Sequence, residues 1–148
     1  MKLFSEHLVI FAANFRKLMA KDSENKSNLT LVDIVVKGIQ EKKGKEIYIV
    51  DLTKVQNAYS DYFIICSGTS DTHVQAISDS IEEMTRTVLQ EKPSRVEGYR
   101  EANWILMDYF DTMVHVFKAE ERAHYDLEGL WADAELSYIT DNEEITNE

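Results

Sequence analysis

Around Gly68 the hydrophobic pattern of this sequence changes period, and the change dictates a layered fold. Tyr62-Phe-Ile-Ile-Cys66 is nearly continuous in apolar character, as expected of a strand buried on both faces. Beyond Ser67-Gly-Thr-Ser-Asp71, the residues Val74, Ile77, Ile81, Met84 and Val88 recur at spacings of 3, 4, 3 and 4, which is a single stripe along an α-helix. Ser70 or Thr72 can cap that helix, Thr72 with Gln75 at capping-box spacing, and Pro93 ends the segment. A buried strand feeding an amphipathic helix through one tight turn requires a sheet with helices packed on it.

The flanking segments extend the same architecture. Leu31, Ile34, Val35, Gly38 and Ile39 lie on one helical face, with Thr30 as N-cap and Gly44 at the exit. Ile47–Asp51 reads as a strand, and the polar stretch Leu52–Asp61 is too short for a crossover helix, so this strand and Tyr62–Cys66 are expected to be antiparallel neighbours. Arg95–Glu97, Trp104–Asp108 and Thr112–Phe117 read as three more strands, the last two forming a hairpin. Glu120–Tyr125 suits a helical turn or two, and Leu127, Leu130 and Trp131 supply a last apolar anchor. The expected fold is α/β (α+β), with a mixed sheet of about five strands and flanking helices. Its expected organisation is a variable leader and linker over residues 1–28, a folded domain over 29–134 and an acidic, disordered tail over 135–148.

At 148 residues, the chain has room for one domain with a real core. Cys66 is the sole cysteine, which excludes an internal disulfide and a multi-cysteine zinc site. No apolar run approaches the roughly 20 residues of a membrane helix. The six-residue apolar run Leu8–Ala13 is too short for a secretory signal, and Glu6, Asp22 and Glu24 spoil a mitochondrial presequence. A cytoplasmic location is therefore expected. The formal net charge of −11 argues against a general nucleic-acid binder and favours a basic protein partner. Residues 118–148, with ten acidic and two basic side chains, carry most of that charge.

Four groups of residues invite a chemical reading. The Gly68 turn at a helix N-terminus could cradle a phosphate, but there is one glycine, no P-loop lysine, and Asp71 puts a negative charge where the phosphate would sit. Asp108, Asp111, His115 and His124 could be drawn into a metal site, although turn aspartates and a buried neutral histidine explain them more simply. Cys66 lies in an apolar strand, where a thiol is inert. The cluster of Tyr99, Trp104, Asp108, Tyr109, Phe110 and Asp111 combines the aromatic and acidic groups of an interface anchor. If Tyr109 and Phe110 formed a two-residue turn, Asp108 and Asp111 would face each other, and an approaching lysine or arginine would relieve their repulsion. The same residues also suit a plainer reading, with Trp104 in the core and both aspartates as turn formers.

Ser60–Ile77, Val96–Gly98, Trp104–Phe117, Glu121-Arg122, Tyr125–Glu128 and Leu130-Trp131 together resemble the ribosomal silencing factor family, also called Iojap-like. The likeness spans about residues 30–134. It implies a sheet related to the nucleotidyltransferase fold without its catalytic carboxylates, and hence a protein that is not an enzyme and needs no cofactor or metal. It implies a translation inhibitor that occupies ribosomal protein L fourteen on the large ribosomal subunit and keeps the small subunit from joining when nutrients are short. The rival implication is a nucleotide-binding enzyme using the Gly68 turn. Carried over by motif, the partner contacts are Trp104, Met107, Asp108 and Tyr109, with Tyr99 and Asp111 beside them, and His115 is left to strand packing or hairpin support. The resemblance also allows a homodimer of the free protein. Where the family commonly has glycine in the hairpin turn this chain has Phe110, which does not readily take a positive φ, so a longer turn or a contact role for Phe110 is expected.

Overall fold

The computed structural model describes residues 30–130 and 134–140. The leader expected over 1–28, Trp131 and the end of the acidic tail lie outside these residues. Helix α1 spans Leu31–Glu41 and strand β1 Lys45–Asp51; β2 is Tyr62–Gly68 and α2 Asp71–Leu89. Then come β3 (Arg95–Glu97), β4 (Trp104–Asp108), β5 (Thr112–Lys118), α3 (Ala119–Tyr125), α4 (Leu127–Leu130) and β6 (Glu135–Ile139).

The strands form one six-stranded sheet in the order β3-β4-β5-β2-β1-β6. The expected β1–β2 and β4–β5 antiparallel pairs are present, and β2 and β5 run parallel at the centre. Six strands replace the expected five or so, because Glu135–Ile139 pairs with β1 instead of beginning a patternless tail. The reason it escapes a reading by hydrophobicity is physical: four of its five residues are exposed, and an edge strand held by backbone ladder bonds needs little apolar patterning. One ring contact reinforces it, Tyr138 lying 5.0 Å from Tyr48.

Helices α1 and α2 cover one face of the sheet. Their apolar stripes meet Ile47, Ile64, Cys66, Ile105, Met107, Val114 and Val116 in the main core. The helices cross closely at Gly38, where an added Cβ would sit 2.9 Å from the Ile81 Cα, and the buried Ser80 hydroxyl donates to the Gly38 carbonyl at 2.8 Å. Thr30 caps α1 in a capping box closed by Asp33. Ser70, not Thr72, caps α2, by accepting from the His73 N–H at 3.1 Å; the Thr72–Gln75 box is not formed, because Gln75 donates to the Tyr99 carbonyl instead. A left-handed Gln90 terminates α2 ahead of Pro93. Gly98 at φ +79° lets the chain turn against β4, since a Cβ there would lie 2.1 Å from the Trp104 carbonyl oxygen.

Candidate functional site

Among the described residues, no long helix lies on the second face of the sheet. Its small core of Val50, Leu52, Phe63, Ile65 and Phe117 is flanked by Val55 and Ala58 from the β1–β2 loop and by Leu127 of α4. Arg122 fastens α3 to this face: its guanidinium donates to Ser67 Oγ at 2.8 Å and to the Glu46 carbonyl, and it lies 5.2 Å from the Tyr48 ring. Toward β3 and β4 the covering thins. The strand register sets Arg95, Asp108, Met113 and Phe63 in one row across the face, Glu97, Leu106, His115 and Ile65 in the next, and Trp104, Phe117 and Ser67 in a third.

Trp104 is half-buried in the third row. Its ring stacks on Phe117 at 4.9 Å, meets Tyr125 at 4.8 Å, and its Nε1–H donates to His115 Nδ1 at 3.1 Å. His115 is buried, and that burial pushes its pKa down to about 4, so the ring is neutral and can accept the indole proton. The packing role expected of His115 is thus joined by a polar one.

Asp108 occupies the first row, half-buried, with Oδ1 accepting from the Phe110 N–H at 2.9 Å. The hairpin differs from the expected one. Asp108 pairs with Met113, and the Tyr109 N–H donates to the Thr112 carbonyl at 2.9 Å, so Phe110 and Asp111 form the tip and Asp108 does not face Asp111. The Asp111 N–H reaches back to the Tyr109 carbonyl at 3.1 Å across Phe110, whose φ is +73°. This is the rare positive-φ γ-turn, and Phe110 adopts the backbone region that glycine would take more cheaply. Its side chain is 80% exposed. Asp111 is exposed, and its carbonyl accepts from the Asp61 and Tyr62 N–H groups, tying the hairpin to the start of β2.

Two expected contacts lie on the wrong side. Met107 is fully buried among the helices with Ser78 Oγ 3.5 Å from its sulfur, and Tyr109 is buried with its hydroxyl 2.9 Å from Thr85 Oγ1. Burial holds the Tyr109 phenol up at about 12. Alternation along β4 is the cause: Trp104, Leu106 and Asp108 share the open face while Ile105 and Met107 share the core face. Tyr99 is exposed but lies against α2, donating from its hydroxyl to Asp79 Oδ2 at 3.1 Å. The face therefore unites Trp104 and Asp108 and leaves Met107, Tyr109 and Tyr99 elsewhere. Phe110, expected either as a contact or in a longer turn, is joined there by Leu106, Met113, Phe63 and Tyr59, which the sequence does not mark as contacts; counting by twos from Trp104 finds Leu106, and the pairing register finds Met113 and Phe63. Tyr59, Phe63, Arg95, Asp108, Phe110 and Met113 line a groove of about 330 Å³ at the hairpin end of the face.

The other candidate chemistries are not assembled. Among the described residues, no group of three or more His, Cys, Asp or Glu side chains is placed to hold a metal ion. Cys66 is buried, which pushes its thiol up to about 12. At the Gly68 turn the polar groups are used internally: the Thr69 N–H donates to His73 Nδ1 at 2.9 Å, and Asp71 pairs with Lys118 Nζ at 2.5 Å. No helix among the described residues is long and apolar enough to cross a membrane.

Residues 24–148 match the family described as ribosomal silencing factor during starvation. A ribosomal silencing factor of Halalkalibacterium halodurans is 38% identical over 111 residues, covering 73% of this chain and 91% of that protein. A mouse protein named mitochondrial assembly of ribosomal large subunit protein 1 is 26% identical over 102 residues, covering 68% of this chain and 44% of its own length. A crystal structure from Bacillus halodurans superposes with a TM-score of 0.61 at 35% identity, covering 68% of this chain and 92% of that one.

Proposed function

Since the chain belongs to the ribosomal silencing factors, we propose that it docks on the large ribosomal subunit through ribosomal protein L fourteen and sterically prevents the small subunit from joining, as a cytoplasmic, non-enzymatic brake on translation when nutrients are short. The observation that carries the reading is the open sheet face, on which Trp104, Leu106 and Asp108 stand in line on β4, Trp104 meeting Tyr125 of the short α3 and no long helix of the described residues lying over them. A rigid strand presenting an aromatic anchor, an aliphatic neighbour and a carboxylate is suited to a basic protein surface. The net charge of −11 favours such a partner and disfavours bare rRNA. The name of the mouse relative points to the same subunit.

The test is co-sedimentation with separated ribosomal subunits, followed by addition of the complementary subunit. The expected result is selective binding to the large subunit, loss of joining, and loss of both with Trp104→Ala or Asp108→Arg while the circular dichroism spectrum is unchanged. Wild-type binding by both variants would overturn this face as the docking surface.

A further inference from the structure

Phe110 stands out on the hairpin between β4 and β5. A bulky side chain at φ +73° is disfavoured, and with 80% of its surface exposed it returns little packing to the fold. Tyr59, 93% exposed, is the other exposed aromatic lining the same groove. Strain and exposure that do nothing for the folded state are hallmarks of a residue kept for a contact. The two rings border the groove at whose edge Asp108 stands. Among the described residues, only the Oδ1 atom of that carboxylate is engaged, by the Phe110 N–H at 2.9 Å, which fixes the hairpin tip and the acid relative to each other. The other charged residue of the groove, Arg95, is turned to Glu97, 3.4 Å away on its own strand, so among the described residues no cation is paired with Asp108.

We propose that this groove is a receptor for one arginine side chain of the protein partner, its guanidinium lying against the Tyr59 and Phe110 rings and donating to Asp108. The rings supply π faces to a planar cation and the carboxylate supplies the acceptor. The inference rests on the docking face proposed above and extends it: Phe110 and Tyr59 are specificity-determining contacts of this chain. Lysine fits less well, because a compact, strongly hydrated ammonium gains less from stacking.

Two measurements test it. In the first, the aromatic and carboxylate NMR signals of the intact protein are followed while N-acetyl-arginine amide is added, with N-acetyl-citrulline amide as the uncharged control of the same shape. Perturbation of Tyr59, Phe110 and Asp108 by the arginine probe, and not by citrulline, is expected; an equal response to both, or none, would overturn the proposal. In the second, Phe110→Gly, Phe110→Asn and Tyr59→Ala are titrated against large subunits. The glycine variant is expected to melt no lower than the wild type, because it takes the left-handed turn without strain, yet to bind about ten-fold more weakly. If Trp104→Ala weakens binding while all three groove variants bind like wild type, the groove assignment fails and the docking face stands. If Trp104→Ala itself binds like wild type, the docking face fails, and the arginine titration alone then decides the groove.

Discussion

His115 carries more of this molecule than its place in an apolar strand suggests. Its Nδ1 accepts from Trp104, its ring lies 4.8 Å from that of Phe63, and its Nε2 is buried with no hydrogen-bond partner among the described residues. With Nδ1 accepting, the neutral ring carries its proton on that unpaired nitrogen, a cost met by the aromatic packing around it. The depressed pKa has a direct thermodynamic consequence. Below about pH 6.5 the unfolded chain binds a proton that the native state refuses until about pH 4. Folding stability is therefore intact at neutral pH and is lost as pH falls through that window, by up to about 3 kcal/mol from this residue. Urea midpoints at pH 7 and 4.5 should draw together in His115→Phe relative to wild type; an unchanged difference would assign the acid sensitivity to other groups.

At the scale of elements, β4 divides its residues between two jobs, and the division is measurable. Met107→Ala should cost about 2 to 5 kcal/mol by opening a cavity under the helices, with large-subunit binding retained by the folded fraction. Leu106→Lys, on the other face of the same strand, should leave the urea midpoint nearly unchanged and abolish binding. The reverse pattern would mean that the strand's facing has been misassigned. This is also where sequence and structure part. The stripe of α2, the continuous run of β2 and the capping of α1 are legible because long periodic patterns and cap chemistry act locally. A block of resemblance, which carries identity but not facing, makes Met107 and Tyr109 contacts, whereas the period of two along β4 places them in the core. The hairpin tip slipped by one residue because its register is set by the Asp108–Met113 pairing and by Phe110 taking an unfavoured φ, neither of which hydrophobicity reports. Tyr59 belongs to the face only because the β1–β2 loop brings it beside the hairpin, a proximity no local pattern encodes.

The whole molecule is acidic, and its proposed docking face combines apolar side chains with the carboxylate of Asp108 at the hairpin end. Two contributions to binding should therefore separate. Raising ionic strength should slow association with large subunits by weakening long-range attraction, while dissociation changes little because the buried apolar contacts are not screened. Surface-plasmon measurements on immobilised large subunits would show this as a salt-dependent on-rate; a salt-independent on-rate would argue against a basic target.

The sixth strand has a consequence for how the protein comes into being. Ile47 pairs with Ile139 and Asp51 with Glu135, so the sheet draws its last strand from far downstream of the strand it completes. During synthesis, α1, β1 and β2 can collapse early, but one edge of β1 stays unsatisfied until residues 135–139 have left the exit tunnel. A protein whose proposed target is the large subunit thus finishes its own sheet only after nearly all of its described length has passed through one.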